Sequence, residues 1–357
     1  MNKKFVFVVL AVLSSINIYL FAGIFPVEFG MKYGYIDENL NVRQMPIYDS
    51  ATQFVDGIAV VKKDGKFHII NEEFETIASF KAIYAGNPNC NRIRFVTETV
   101  DFYTDYDGNI VTTGFDKVDD FSEGYAVVEK DGNFYILNLE NELKEIPSVV
   151  NLYSEFHNGL LCVVNKKNEL GFLNTDGEIV IDFQYKSIFH RILTDFNDDL
   201  CPVYTKTIVN DYNLSGYIDK QNNFVIPAEY YDNLGFHNGL SCVMYDSVYN
   251  GKGKSRTYKW KVIDAENNDV CYFPEGFYIH DYCENGICVY STDDGYGYIR
   301  IDGEIITPAI FELDKPFYYG YANNIYERQN VLVTEDGEII YVYEIFGLEP
   351  VQAVAWG

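Results

Sequence analysis

Basic charge is scarce in this sequence: 27 Lys and Arg stand against 53 Asp and Glu, a formal net charge of −26 over 357 residues. So acidic a chain repels phosphate backbones and anionic lipid faces, which excludes nucleic acid as a partner. No Cys-x-x-Cys pair occurs and histidines number five, so the spacings of a zinc site or a dithiol redox motif are missing. No segment sustains a 3.6-residue apolar period, which leaves helices a minor role at most. What the chain has in quantity is aromatic: 31 Tyr and 26 Phe help bring the hydrophobic fraction to 48%. A disordered acidic chain is poor in such residues, so this one folds around a core.

The N-terminus carries Lys3 and Lys4, the apolar run Phe5 to Leu13, then Ser14 and Ser15. That order is the pattern of a secretory signal peptide. The first cysteine is Cys90, so the residue that a lipid-anchoring signal needs after its apolar run is absent. An uncleaved anchor, extended by the apolar stretch Ile16 to Phe25, is the alternative. The expected division is residues 1–22 as signal peptide, 23–345 as one repeat domain and 346–357 as a terminal cap.

Two patterns alternate along the chain. One is an aromatic residue, two further residues, Gly and an apolar run: FVDGIAVV at 54–61, FSEGYAVV at 121–128, FHNGLLCV at 156–163, FHNGLSCV at 236–243 and FYYGYA at 317–322. FNDDLCPV at 196–203 and CENGICVY at 283–290 are degenerate copies, and Arg92 stands where a third degenerate copy would carry its glycine. The other is a strand-like tetrapeptide ending in a polar anchor, as in GYIDENLNV. The anchors are Asp37, Asn71, Asp105, Asn138, Asn174, Asp219, Asp264, Arg300 and Thr334, spaced 34, 34, 33, 36, 45, 45, 36 and 34 residues apart. Nine units of about 34 residues follow, two of them lengthened between the glycine motif and the next anchor.

Each unit reads as three short strands and a looser return segment. Seven Asp-Gly steps, at 64, 107, 131, 176, 294, 302 and 336, mark the tight turns. Pro46, Pro227 and Pro308 are expected to end the third strand, since proline cannot donate to a ladder. Cys162, Cys201, Cys242 and Cys288 follow the glycine position where other copies carry Ala or Val. They read as small buried hydrophobes, with disulfides between neighbouring units as the alternative. The seven cysteines are an odd number, so an oxidising compartment leaves at least one outside any intrachain pair.

GYIDKQNNFVIPAEYYDNLGFHNGLSCV at 216–243 and GYIDENLNVRQMPIYDSATQFVDGIAVV at 34–61 resemble the units of bacterial WG-repeat proteins. The likeness spans about 30–340, but the Trp slot holds Tyr33, Leu170, Ser215 and Tyr296, and only Trp260 fills it with Trp, followed by Lys261 instead of Gly. The resemblance implies an exported or cell-associated β-repeat scaffold with no catalytic residues to carry over. The fold expected is all-β, an extended or curved array of about nine three-stranded antiparallel units, with a closed propeller-like ring as the alternative.

Candidate chemistry is thin. Asp105-Tyr106-Asp107-Gly108 looks like part of a calcium loop, yet Gly114 stands where the late Glu is needed, so a turn is the better reading. Gly253-Lys254-Ser255 ends like a phosphate-binding loop without its leading glycine, because position 248 is Val248. His157 and His237 share one repeat slot, which points to a turn role. No pair of carboxylates is singled out for glycosidase work. What departs from the repeat says more: the insertion 247–260 gathers Lys252, Lys254, Arg256, Lys259 and, just beyond it, Lys261, five of 27 basic residues within ten positions. These are the candidate contacts for an acidic partner, with a solvated hairpin tip as the plain reading. The shorter insertion, 205–213, is expected to flank the same surface. The sequence therefore supports a non-enzymatic exported scaffold without metal or cofactor, acting in the periplasm or at the surface of a bacterium. Its expected partner is another envelope protein or a glycan, and it meets membrane only through the uncleaved N-terminal alternative. A glycan- or peptidoglycan-binding module is the second reading and a glycoside-acting enzyme the third.

Overall fold

A computed structural model describes residues 23–146, 151–187, 195–251, 256–282 and 285–351. The proposed signal segment and the last six residues lie outside them. The described residues form nine antiparallel sheets that follow the nine repeats in chain order. We number them as blades: 1 (25–48), 2 (50–80), 3 (84–115), 4 (117–145), 5 (151–186), 6 (201–230), 7 (232–272), 8 (278–311) and 9 (321–341).

The blades close into a nine-bladed β-propeller, the ring that the sequence left as the alternative to an open array. Nine apolar clusters fill the nine interfaces. In the strand after each glycine motif successive side chains point to opposite faces. The residue three past the glycine therefore meets the residue two past the glycine of the next blade: Val60 shares a cluster with Ile93, Val127 with Leu161, and Val289 with Ala322. This explains why stretches such as YAVV are apolar on both faces. The ninth cluster joins the ends, with Phe25, Val27 and Ile36 of blade 1 against Leu332 of blade 9. Gly30 N donates to Asn330 Oδ1 (3.0 Å) across the same seam, and Phe25 stacks on Tyr321. Among the described residues no strand is exchanged there; the helix Val342–Phe346 seals it, burying Val342 and Phe346 in that cluster.

Six sheets contain a fourth strand in the return segment, often of only two residues, such as Ser50–Ala51 and Asp232–Asn233. This is how a blade of four strands fits a 34-residue period. The return is fixed by the tyrosine of the GYID-like strand. Tyr35, Tyr103, Tyr217 and Tyr298 donate their hydroxyls to the carbonyls of Thr52, Asp119, Leu234 and Lys315, each 16 or 17 residues further on.

The nine anchors close their own turns. In each turn the third residue after the anchor has positive φ, even where it is Leu40 or Phe74. Seven anchor side chains, Asp or Asn, accept the backbone N–H four residues on. The residue at that fourth position is complementary. Asp37, Asp105, Asp219 and Asp264 accept from the side-chain amides of Asn41, Asn109, Asn223 and Asn268. Asn71, Asn138 and Asn174 instead donate to the carboxylates of Glu75, Glu142 and Glu178. A carboxylate can only accept, whereas an amide with its oxygen engaged has N–H left to give, so the anchor dictates its partner. Arg300 follows the same logic with an ion pair to Glu304 (3.2 Å).

Two expectations are corrected. Pro46, Pro227 and Pro308 do not end the third strands; they lie inside Val42–Tyr48, Phe224–Tyr230 and Ile305–Phe311. There the third strand bulges: Tyr33 and Tyr35 pair with Tyr48 and Gln44, so extra residues stand opposite Gly34. The bulge recurs opposite Gly216 and Gly297, and it brings the third-strand backbone so close that a Cβ at Gly216 would lie 2.6 Å from the Ile226 carbonyl oxygen. A bulge has no use for the missing N–H, which is why proline is tolerated. Second, the degenerate turn of blade 3 is made by Cys90 and Asn91 (φ 53° and 54°), and Arg92 follows it.

Candidate interaction surface

Most blades join their first two long strands by a two-residue turn, as at Asp64-Gly65 between Ile58–Lys63 and Lys66–Asn71. Blades 6 and 7 differ in the length of these strands, although blade 6 keeps a two-residue turn at Asn210-Asp211. In blade 6 the hairpin runs through Cys201–Val209 and Tyr212–Ile218, and in blade 7 through Leu240–Tyr249 and Arg256–Asp264. Both insertions extend this same hairpin, and they pack side by side. Arg256 reaches Asp211 of blade 6 (3.2 Å) and lies over the ring of Tyr212. Tyr212 shares a hydrogen bond with Ser247 (3.1 Å) and stacks on Tyr231, whose hydroxyl accepts from Asn210 Nδ2 (2.8 Å). Below them, buried Asp232 of blade 7 accepts from the hydroxyls of Tyr204 in blade 6 and Tyr278 in blade 8. Three consecutive blades are tied at the base of the pair.

The candidate basic residues separate. Lys252 and Lys254 lie outside the described residues, as does Gly253-Lys254-Ser255. Arg256, Lys259 and Lys261 do not form an open patch, because each faces acids of the same chain. Lys259 bridges Asp246 (3.3 Å) and Glu275 (3.5 Å), which hold its pKa above the ordinary lysine value. Lys261 is paired with Asp269 beside the rings of Tyr230 and Tyr245. Beside the exposed polar Lys206, Thr207 and Asp211, the paired hairpins present apolar side chains to solvent: Ile208 is 66% exposed and Tyr249 58%, with Val209 and Val248 beside them. The sequence reading, drawn to the lysines, missed these residues. The signal was present as apolar residues within an insertion, where no core needs them.

The other candidates resolve into structure. Asp105 caps its own turn with the amides of Asn109. His157 and His237 stand just before the positive-φ turns Asn158-Gly159 and Asn238-Gly239, His157 within 3.5 Å of Asp195. Among the described residues no group of three or more His, Cys, Asp or Glu is arranged to hold a metal ion. One charged cluster escaped the sequence reading. Arg94 of blade 3 meets Asp120 (2.8 Å) and Asp119 (3.4 Å), and burial raises the pKa values of both carboxyls and of Glu155 nearby. It arises in the most degenerate repeat, where no pattern marked Arg94. Cys162, Cys201, Cys242 and Cys288 are buried in strands, Cys90 and Cys271 are half-buried, and Cys283 lies outside the described residues.

Comparison with known proteins agrees with this architecture. The model of the WG containing repeat matches residues 33–67, 103–134, 171–205, 216–249 and 296–323. No curated protein sequence matches the chain. Among solved structures, a eukaryotic initiation factor aligns at 10% identity and a TM-score of 0.59, covering 89% of this chain and 94% of that one, a likeness of fold alone. The computationally designed Ika8 protein aligns at 11% identity and TM-score 0.47, covering 90% and 100%. The WD40 domain of Neurospora crassa Pan2 aligns at 12% identity and TM-score 0.36, covering 68% and 85%.

Proposed function

We propose that this chain, built from WG containing repeats, is a non-catalytic scaffold that binds another protein through the paired hairpins of blades 6 and 7. One observation carries the reading: two adjacent blades depart from the common hairpin, their insertions pack on each other, and exposed Ile208, Val209, Val248 and Tyr249 lie on them. Exposed apolar side chains such as Ile110 and Ile305 occur elsewhere on the ring, but here four of them lie on two hairpins that pack on each other. The partner is a protein with an apolar contact edged by acidic residues, which meet Lys252 and Lys254. The anchors, the most regular polar residues of the chain, are engaged in their own turns, which supports a binding role over catalysis.

We place the scaffold outside the cytoplasm of a bacterium, in the periplasm or at the cell surface. This rests on Lys3, Lys4 and the apolar run after them. Among the described residues no helix is long and apolar enough to cross a membrane.

The test is co-purification from a cell-envelope extract with the chain from residue 23 onward as bait, beside the double variant Ile208→Ser/Tyr249→Ser. A partner kept by the first bait and lost by the second supports the reading. An identical partner list overturns the hairpin assignment, and pelleting with purified cell-wall polymer instead of protein capture would favour the glycan-binding alternative.

A further inference from the structure

Four buried cysteines fall into two pairs across blade interfaces. Cys242 of blade 7 is three residues past Gly239 and Cys288 of blade 8 is two past Gly286, the two strand positions that face each other between neighbouring blades. Cys162 of blade 5 and Cys201 of blade 6 repeat that relation in the interface two blades earlier. In the first pair the sulfurs are 3.7 Å apart and both residues are 0% exposed.

We propose that Cys242 and Cys288 form an inter-blade disulfide, a covalent staple between blades 7 and 8. The bond asks the sulfurs to close from 3.7 Å to the ~2.05 Å of a disulfide. Side-chain rotation and a small approach of two sheets that already share one apolar cluster supply that movement. The 46-residue separation makes the crosslink a large restriction of the unfolded chain. Because both thiols are sealed in the closed ring, the bond forms while the blades dock, by exchange with a small-molecule or protein disulfide. One cysteine thiolate attacks that disulfide and releases one thiol. The second cysteine thiolate then attacks the mixed disulfide and releases the other, so two cysteine thiols and one disulfide become one Cys242–Cys288 bond and two thiols. The staple fixes blade 7, which carries the longer hairpin, to its neighbour on the side away from blade 6. Cys271 is the competing partner: it shares a row of blade 7 with Cys242, since Val262 pairs with both, but it is only half-buried and its sulfur lies beside Gly303 of blade 8.

The experiment refolds the full chain from guanidinium in a mixture of oxidised and reduced glutathione, blocks remaining thiols with N-ethylmaleimide, digests and maps peptides by mass spectrometry. The staple predicts a Cys242–Cys288 peptide pair lost on reduction, and a Tm about 5 °C above that of the reduced protein. It persists in Cys162→Ala and disappears in Cys288→Ala. Because the mapping reads the wild-type chain, it decides even where a variant folds poorly. Maleimide on both Cys242 and Cys288 in the refolded protein, or a Cys242–Cys271 link, overturns the proposal.

Discussion

Blade 2 and blade 7 are made from the same parts and differ in one hairpin. Each has a two-residue return strand, a positive-φ turn before its first long strand, and an anchor that closes the next turn, Asn71 in one and Asp264 in the other. Blade 2 joins strands of six residues through Asp64-Gly65, whereas blade 7 carries strands of ten and nine residues past the body of the ring. Core positions are unchanged by the extension: Val60 and Cys242, each three past the glycine, both face the next blade. Ring closure thus constrains only the part of a hairpin that meets a neighbouring blade. Beyond it the sequence is at liberty to vary, and there blades 6 and 7 place exposed apolar residues.

The largest break in this comparison is at the shared core slot four residues before the anchor. Trp260 is fully buried in blade 7 and Phe67 nearly so in blade 2. Trp260→Ala should cost about 3–5 kcal/mol in denaturant unfolding, and Phe67→Ala a similar amount, because both leave a cavity in an interface. Equal costs would show that the long hairpin leaves the core alone. Next comes the glycine slot. Gly216→Ala forces a Cβ to within 2.6 Å of the Ile226 carbonyl oxygen and should cost about 1–3 kcal/mol. In blade 2 the slot holds His68, whose third strand pairs there without a bulge, so His68→Ala should change stability by less than about 0.5 kcal/mol.

A finer test concerns the anchors. Asp219→Asn removes the acceptor that Asn223 uses, so it should lower the Tm; adding Asn223→Glu restores a complementary pair and should recover it. No recovery would mean that the anchor pairing is incidental. Acid probes the same contrast. Hydrogen bonds from the Asn223 side chain and backbone hold the Asp219 carboxyl below its ordinary value. Its contribution is therefore complete above the unfolded value of about 4 and is lost as pH falls through the lower folded one. Hydrogen exchange at the Asn223 N–H should accelerate relative to the Glu75 N–H on acidification, since Asn71 Oδ1 does not titrate.

Much of this was legible in advance, for identifiable reasons. The nine anchors set the blade count because each polar residue closes a turn that every blade needs. The alternation of Asp with Asn and of Asn with Glu four residues on was also written in the sequence, but its meaning depends on knowing that the two side chains touch. Closure was not legible. It rests on contacts between the ends of the chain, such as Gly30 with Asn330 and Phe25 with Tyr321, which no local pattern announces. The two-residue return strands are too short for periodicity to reveal, and the prolines were misread because the bulge that accommodates them lies opposite a glycine on another strand. For the surface, the insertions and their adjacency could be read from spacing. The pairing of Arg256 with Asp211, and of Lys259 with Asp246 and Glu275, could not, because those acids come from other strands or another blade.

The central claim is that the blade interiors make the ring and the departures in blades 6 and 7 make the interaction. Its most direct test replaces residues 247–258 by a two-residue turn, so that the Asp246–Lys259 pair closes the hairpin as Lys63–Lys66 does in blade 2, and measures both Tm and binding of the partner captured by the unaltered chain. The account predicts a Tm within about 2 °C of the parent and loss of binding. An intact ring that still binds its partner as tightly as before would contradict it.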